Sequence, residues 1–155
     1  MGRGPATQTM TRRALLVPED FDVPAGLEHE RFRLRMLTVH DVVKDYAAIL
    51  DRVEPDGTPA PSEDLTLEQN LIDLGWHQKE FQLRRSFAYT VMSPDESVCL
   101  GCVYLYEVDH ADVRVHMWVR RSAWEEGLDP VLEQAVRAWI AEDWPFQTVS
   151  YPDRE

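Results

Sequence analysis

The middle of the chain holds three apolar stretches that follow one another at short intervals. The stretches are 87–92, 98–108 and 113–120, and short connections rich in turn-forming residues separate them. β-branched and aromatic residues dominate all three, which is typical of strands. Connections this short join antiparallel strands, because a parallel pair needs a long crossover. The sequence therefore predicts a three-stranded antiparallel meander.

The second connection predicts how the last two strands pair. A two-residue loop at 110–111 places Tyr106 opposite Val115 and creates one continuous apolar face. On the other face the same register places Glu107 opposite Arg114. Opposite charges in such a pair stabilise a sheet by roughly 0.2–1 kcal/mol.

Two capping signals predict helices before the meander. Thr38 is followed three residues later by Asp41, and Thr66 by Gln69, the spacing of a capping box. The second helix is expected to run to about Arg85. The predicted inward stripes are Val42, Val43, Tyr46, Ala47 and Leu50 in the first helix and Leu67, Leu71, Leu74 and Phe81 in the second.

The remaining segments complete the order of elements. Residues 31–37 alternate polar and apolar side chains, as in a half-buried strand, and residues 148–151 form a last short strand. Asp129 followed by Pro130 is an N-cap signal for a third helix that ends near Asp143. The predicted order is βααβββαβ. This is an α/β fold in which a mainly antiparallel twisted sheet is flanked by helices.

The chain divides into a tail and one domain. Residues 1–30 show no sustained period, which predicts a flexible N-terminal tail that docks through Phe21 and Leu27. Residues 31–155 are expected to form a single domain. A chain of 155 residues with 44% hydrophobic residues has the size and composition of one ordinary globular unit.

Charge and composition exclude several classes of function. The chain has 28 acidic and 16 basic residues, a formal charge of −12, so its surface repels nucleic-acid phosphates and anionic lipid. The same surface attracts cationic amines. No apolar run is long enough to span a membrane. Two cysteines without a secretion signal predict a cytoplasmic protein.

The candidate chemical side chains are few. Cys99 and Cys102 have the spacing of half a zinc site, but strand residues three apart point to opposite faces, so we expect no metal site. His116 lies in the middle of a predicted strand near Glu107, and either side chain is a candidate general base. A purely structural role is the alternative for both.

The strand that ends at residue 120 leads into a glycine-containing turn and then a helix. Together with the element order, over about residues 32–151, this resembles the GNAT superfamily of acyl-CoA N-acyltransferases. In that superfamily an Arg/Gln-x-x-Gly-x-Gly/Ala turn holds the CoA pyrophosphate through N–H groups at the helix start. The resemblance implies acetyl-CoA or another acyl-CoA as the cofactor. Its pantetheine would contact Met117, Trp118 and Val119, and its pyrophosphate would contact Gly127, Leu128 and Asp129.

The phosphate turn departs from the family pattern and is degenerate. Trp124 stands at the Arg/Gln position and Asp129 at the second glycine, so Gly127 alone matches. As the N-cap of its own helix, Asp129 would place a carboxylate where the pyrophosphate binds. Such a charge about 4 Å from a phosphate is worth roughly 4 kcal/mol of repulsion at an effective dielectric near 20. Glu125 and Glu126 add like charge.

The resemblance implies acyl transfer to an amine of a small molecule or protein. His116 or Glu107 would accept the proton of the amine. Family members continue beyond the fifth strand with a helix and two strands, and that helix often carries a tyrosine that protonates the departing thiolate. The chain ends at Glu155, so its C-terminus is expected to be shortened, and Tyr151 would take the role of that tyrosine.

The alternative is a non-catalytic GNAT-like domain that has lost normal CoA binding and uses the cleft as a binding or dimerisation surface. A shortened C-terminus leaves the fifth strand at the edge of the sheet, where it needs a cover. The N-terminal tail, Pro152 or a second subunit would supply one. A homodimer is therefore one expected assembly.

Overall fold

A computed structural model describes residues 14–61 and 64–154, and within them seven strands form one sheet. The strands are β1 (Gly26–Glu28), β2 (Arg33–Met36), β3 (Arg52–Val53), β4 (Phe87–Met92), β5 (Cys99–Tyr106), β6 (Val113–Arg120) and β7 (Val149–Ser150). Their order is β1-β2-β4-β5-β6-β3, and β7 also pairs with β6. Every pair is antiparallel except β6 with β7. The predicted α/β fold with a mainly antiparallel sheet is confirmed.

Helices cover both faces of the sheet. They are α1 (Val42–Ile49), α2 (Leu67–Gln82), α3 (Arg121–Glu125) and α4 (Leu128–Asp143), and a short 3-10 turn precedes α1. α4 packs on one core cluster through residues such as Leu132 and Trp139, whereas Ala48 of α1 and Leu74 of α2 belong to a second cluster. Both predicted capping boxes are present. None of the helices in the described residues is long and apolar enough to cross a membrane.

The predicted pairing of β5 with β6 is wrong by one residue. Tyr106 pairs with Arg114 and Tyr104 with His116, because the connection spans residues 107–112 and is not a two-residue loop. A slip of one residue moves every side chain of a strand to the other face relative to its partner. Glu107 therefore lies beyond the end of β5. Arg114 pairs with Tyr106 in the sheet register, and its guanidinium lies over the Tyr106 ring at 5.0 Å.

The N-terminal segment belongs to the domain from residue 14 onward. Phe21 and Leu27 pack against the core, as predicted, and β1 pairs with β2. The Arg84 guanidinium donates to the carbonyls of Pro18 and Phe21, and the Tyr89 hydroxyl donates to the carbonyl of Pro24. Residues 14–30 are thus not the predicted tail, since long-range contacts hold them. Residues 1–13 of that tail lie outside the described residues.

The predicted element order lacked β1, β3 and α3. β3 has two residues and lies in a proline-rich segment predicted as a loop, and α3 has five residues. Elements this short show no measurable period, and their pairing partners are distant in sequence.

Part of the predicted inward stripe of α1, namely Val43, Ala47 and Leu50, faces outward, whereas Val42 packs against the core. Val43 is 69% exposed and Leu50 is 48% exposed, whereas Asp45 and Ala48 face the sheet. In α2 the predicted Leu74 is buried, but Leu67 and Leu71 are exposed. Helical spacing identifies an apolar face without saying which neighbour covers it. The predicted inward orientation is therefore wrong for Val43, Leu50, Leu67 and Leu71. It is confirmed for Val42, Leu74 and Phe81, which pack against the core.

Asp45 is a buried carboxyl with a single hydrogen-bond donor. The Asn70 amide donates to its Oδ2 at 3.0 Å, and its Oδ1 has no partner among the described residues. Burial raises the pKa of Asp45 from 3.8 to about 6, and the hydrogen bond from Asn70 opposes that shift. The ionised carboxylate is therefore a cost to the fold near neutral pH.

Replacing Asp45 with Asn should stabilise the domain at neutral pH. Because the folded-state pKa is raised, the native state holds an extra proton between about pH 4 and pH 6, and stability falls as pH rises through that window. We expect Asp45→Asn to raise the free energy of unfolding by roughly 2 kcal/mol at pH 7.5 and by much less at pH 4. Urea unfolding at both pH values measures this. Glu68→Gln, at an exposed acid of α2, should change it by less than about 0.5 kcal/mol.

Candidate functional site

The outer edge of β6 changes partners along its length. β7 pairs with Val113 and Arg114 at one end, and β3 pairs with Val119 and Arg120 at the other. Among the described residues, no strand pairs with residues 115–118 on this side. The sheet therefore has a gap beside the middle of β6, bounded by β3, β7 and the chain that follows β7. The family resemblance places the pantetheine of the cofactor here, beside Met117 and Trp118.

The gap is narrow because the chain itself fills most of it. A cavity of about 50 Å³ remains, lined by Arg52, Val53, Glu54, Pro55, Ala60, His116, Met117, Trp118 and Asp153. One or two water molecules would fill that volume. Residues 151–154, which we call the closing segment, run across the gap after β7.

Arg154 is the central contact of the closing segment. Its guanidinium donates two hydrogen bonds to Asp129, at 2.8 and 2.9 Å, and one to Glu133 at 3.1 Å. It also donates to the Met117 carbonyl on β6 at 3.2 Å. The Arg154 side chain is 4% exposed and that of Asp129 is 8% exposed. A single buried cation thus joins the closing segment, the start of α4 and the free edge of β6.

A second arginine supports this arrangement. Arg137 donates to Glu133 at 2.9 Å and lies over the Tyr151 ring, with Cζ 3.9 Å from the ring centre. Burial acts to raise the pKa of Glu133, but the hydrogen bonds from Arg137 and Arg154 lower it overall. Tyr151, predicted to supply a proton, is 5% exposed, with its ring beneath Arg137.

His116 lies at the rim of the cavity. Its Nδ1 is 2.9 Å from the Asp153 carboxylate, and its ring stacks on Tyr104 with centres 5.8 Å apart. Trp118 shares that face of β6 and donates from its indole nitrogen to the Tyr104 hydroxyl at 3.1 Å. Glu107 is exposed and does not line the cavity. The structure thus brings His116, Met117 and Trp118 to the gap and leaves Glu107 outside it.

The start of α4 differs from the predicted one. The N-cap is Gly127, not Asp129, and no side chain caps the helix. Gly127 has a φ of +82°, and a Cβ built there would meet nothing within 4 Å, so backbone conformation alone favours glycine. The predicted self-cap is wrong because the Asp129 carboxylate turns to Arg154 instead. Pro130, in the first turn, has no N–H to offer a ligand.

Trp124 anchors a loop instead of facing a ligand. Its indole nitrogen donates to the Pro55 carbonyl at 3.0 Å, and its ring packs on Gly57. Gly57 has a φ of +89°, and a Cβ there would lie 2.6 Å from the Trp124 ring. The loop that follows β3 is therefore fixed against α3, beside the turn that corresponds to the phosphate turn.

These contacts decide whether CoA fits. A diphosphate at the start of α4 would meet the Asp129 and Glu133 carboxylates, and Arg154 already pairs with both. A pantetheine arm along β6 would need the backbone near Met117 and Val119. The Met117 carbonyl accepts from Arg154, and Val119 pairs with Val53 of β3. The residues present do not fit CoA in this conformation.

The cysteines do not form a metal site. Cys99 and Cys102 lie in the same core cluster and not on opposite faces, since the β4–β5 register shifts between Val91 and Met92. Burial raises the pKa of Cys99 to about 11, so its thiol stays protonated. Among the described residues, no group of three or more His, Cys, Asp or Glu side chains could hold a metal ion.

Sequence reasoning missed the residues that close the gap. Arg154 and Glu133 meet across 21 positions of sequence, and the Arg52–Val53 strand pairs with β6 from a segment predicted as a loop. No local pattern marks either contact. The structure buries Asp129, and a buried carboxylate needs a cationic partner, but the sequence did not predict that burial.

Solved structures give the fold a name. A GNAT-family acetyltransferase from Bacillus anthracis matches with a TM-score of 0.55 and 15% identity, over 76% of this chain and 67% of that chain. A ribosomal-protein-S5-alanine acetyltransferase from Vibrio fischeri matches with a TM-score of 0.53 and 16% identity, over 77% and 67%. RimL, a ribosomal-protein acetyltransferase solved in complex with coenzyme A, matches with a TM-score of 0.53 and 14% identity, over 79% and 70%.

The similarity to these solved structures concerns the fold. No protein-family model and no curated protein matches the sequence. At identities of 14 to 16%, the likeness to solved structures shows the fold alone. The chain therefore has the GNAT fold, as its sequence suggested, and its activity must be argued from its own residues.

Removing Arg154 should destabilise the domain strongly. Arg154→Ala leaves the buried Asp129 carboxylate without its cation, and a buried pair broken in this way costs about 3–5 kcal/mol. Adding Asp129→Asn should restore part of that loss, since the buried charge is then gone. Urea unfolding of the single and double variants measures both effects. Arg33→Ala, at an exposed pair with Glu28, should cost less than about 1 kcal/mol, and a similar small loss for Arg154→Ala would contradict the assignment.

Proposed function

We propose that this chain is a non-catalytic GNAT-fold domain that no longer binds acyl-CoA in the usual way and acts as a binding domain. The observation that carries the proposal is the Arg154 guanidinium, which bridges Asp129 and the Met117 carbonyl across the gap. A cofactor and this guanidinium would compete for the same helix start and the same strand edge. The chain's own residues occupy both.

The energetic cost of opening the gap is large compared with ordinary ligand binding. Withdrawing Arg154 breaks a buried ion pair, which costs about 3–5 kcal/mol. Releasing β3 from Val119 also gives up backbone hydrogen bonds, each worth roughly 1 kcal/mol net. A cost near 4 kcal/mol lowers the apparent affinity of any ligand for the open state by about a thousandfold. The Asp129 and Glu133 carboxylates would then face the diphosphate without their cation.

The second candidate is an acyl-CoA-dependent N-acyltransferase acting on an amine of a small molecule or protein. One observation favours it, the pair formed by His116 and Asp153 at the rim of a gap in a GNAT sheet. With Asp153 as its partner, His116 would accept the amine proton, and Glu107 is the other predicted acceptor. The net charge of −12 would attract cationic amines. This candidate requires β3 and the Arg154 side chain to leave β6 while Asp153 stays beside His116.

Thermal melting with acetyl-CoA separates the two candidates. Ligand at a hundred times its dissociation constant adds about 2.7 kcal/mol of stability, which is several degrees for a domain of this size. We expect no shift above about 1 °C for the native sequence with 1 mM acetyl-CoA, because Arg154 and β3 occupy the cleft. The triple variant Asp129→Gly, Glu133→Gln, Arg154→Ala is the matched control, since it removes the guanidinium and both carboxylates.

Each of the three outcomes is informative. A shift in the triple variant alone identifies these three side chains as the barrier to binding. No shift in either protein means that the loop and β3 also prevent it. A shift of several degrees in the native sequence contradicts the proposed function.

An acetyl-transfer assay tests the second candidate directly. With acetyl-CoA as donor and spermidine or an N-terminal peptide amine as acceptor, we expect thiol release no faster than in buffer. If transfer does occur and His116 is the base, His116→Asn should slow it at least a hundredfold, the usual contribution of a general base. His110→Asn, at an exposed histidine outside the cavity lining, should leave the rate unchanged.

A further inference from the structure

A second concave surface lies between α1 and the connection that joins β4 to β5. It is a groove of about 200 Å³, and it shares no lining residue with the cavity beside β6. Val43 and Ala47 of α1 form one wall and Val98 forms the other. Val43 is 69% exposed and Val98 is 39% exposed. The groove is thus an apolar surface open to water and separate from the candidate site.

Exposed apolar side chains continue along α1, and another lies at the start of α2. Val43, Ala47 and Leu50 lie one turn apart on the exposed side of α1. The Tyr46 hydroxyl donates to the Leu65 carbonyl at 2.8 Å, which places the start of α2 beside α1. Leu67 of α2 is 45% exposed. A helix in a free-standing domain normally turns its polar side to water, so this face has the character of a contact surface.

The charged residues of the groove are cations on an otherwise acidic molecule. Lys44 and Arg120 are the charged side chains that line it, in a chain with a net charge of −12. The Lys44 ammonium donates to the Glu96 carbonyl at 2.9 Å. The Arg120 guanidinium donates to the Cys99 carbonyl at 3.3 Å and forms an ion pair with Asp51 at 3.6 Å. Asp51 also pairs with Arg121 at 3.8 Å, so that one carboxylate faces two guanidinium groups. The groove therefore favours an occupant that is both apolar and anionic.

Charge argues against the chain's own segments as the occupant. A symmetric dimer through this face would bring Lys44 and Arg120 of both copies into one interface, which places four cations together. Residues 1–13 contain three arginines and no acid, so their charge has the same sign as the groove.

We propose that this groove docks a short acidic and apolar peptide segment of another protein. An apolar side chain of the segment would lie between Val43 and Val98, and a carboxylate would pair with Lys44 and Arg120. The contact resembles the docking of an amphipathic helix in a groove, where a few apolar anchors supply most of the affinity. The proposal does not depend on the closed cleft, because none of its residues lie there.

Two matched synthetic peptides test the proposal. Both are fluorescein-labelled 12-residue peptides with leucine at one helical face, and the remaining positions are glutamate in one and lysine in the other. Overall charge predicts that the lysine peptide binds this acidic protein more tightly, whereas the groove predicts the opposite. We expect at least tenfold tighter binding of the glutamate peptide by fluorescence anisotropy.

Substitutions locate the binding on the surface. Val43→Asp should weaken binding of the glutamate peptide at least tenfold, and Lys44→Glu should shift the preference towards the lysine peptide. Both side chains are exposed, so the melting temperature should not change and serves as the folding check. Leu15→Asp, at an exposed leucine outside the groove lining, is the matched control and should leave binding unchanged.

Four results would overturn the proposal. The first is equal or tighter binding of the lysine peptide, and the second is a glutamate-peptide dissociation constant above about 100 µM. The third is binding of the glutamate peptide that Val43→Asp leaves unchanged. The fourth is a dimer in sedimentation velocity that Val43→Asp dissociates, since a second copy would then be the occupant.

Discussion

A guanidinium buried in a protein must find carboxylates and carbonyls around it, and in this fold that requirement falls on Arg154. Its partners come from the start of α4 and the free edge of β6. Because the Asp129 carboxylate accepts hydrogen bonds from Arg154, it does not cap α4. Gly127, in the left-handed conformation, is the N-cap of that helix. The closing segment, the helix start and the strand edge therefore hold one another in place.

The free edge of β6 is satisfied by the chain's own groups in this structure. A strand edge without a neighbouring strand has unpaired backbone donors and acceptors, and other groups must form hydrogen bonds with them. Here β3 pairs with Val119, the Arg154 guanidinium pairs with Met117, and β7 pairs with the start of the strand. Once the chain satisfies its own edge, an external ligand gains less than it would from an open one. The fold is retained, and the free-energy difference that favours a ligand is reduced.

Local signals predicted local structure well and long-range contacts poorly. β4 and β6 have the predicted bounds, and Thr38 and Thr66 form the predicted capping boxes, because these features depend on residues adjacent in sequence. The β5–β6 register failed because it depends on the length of one connection. Within the candidate site, His116 could be predicted from its place in a strand. Arg154 could not, because its partners on α4 and β6 have no sequence relation to it.

The outward stripe of α1 follows from what fixes the rotation of that helix. Turning α1 by half a turn would bury Val43 and expose Asp45, which hydrophobic burial alone would favour. The turn before α1 prevents this, because Asp41 accepts two hydrogen bonds from Arg35, at 2.8 and 3.0 Å, while closing a capping box with Thr38. Burial of the Asp41 carboxyl acts to raise its pKa, but these hydrogen bonds outweigh that effect and lower the pKa of Asp41 overall. The ion pair between Arg35 and Asp41 therefore fixes α1 in a rotation that buries Asp45. The exposed apolar side of α1 is then available for a contact outside the domain.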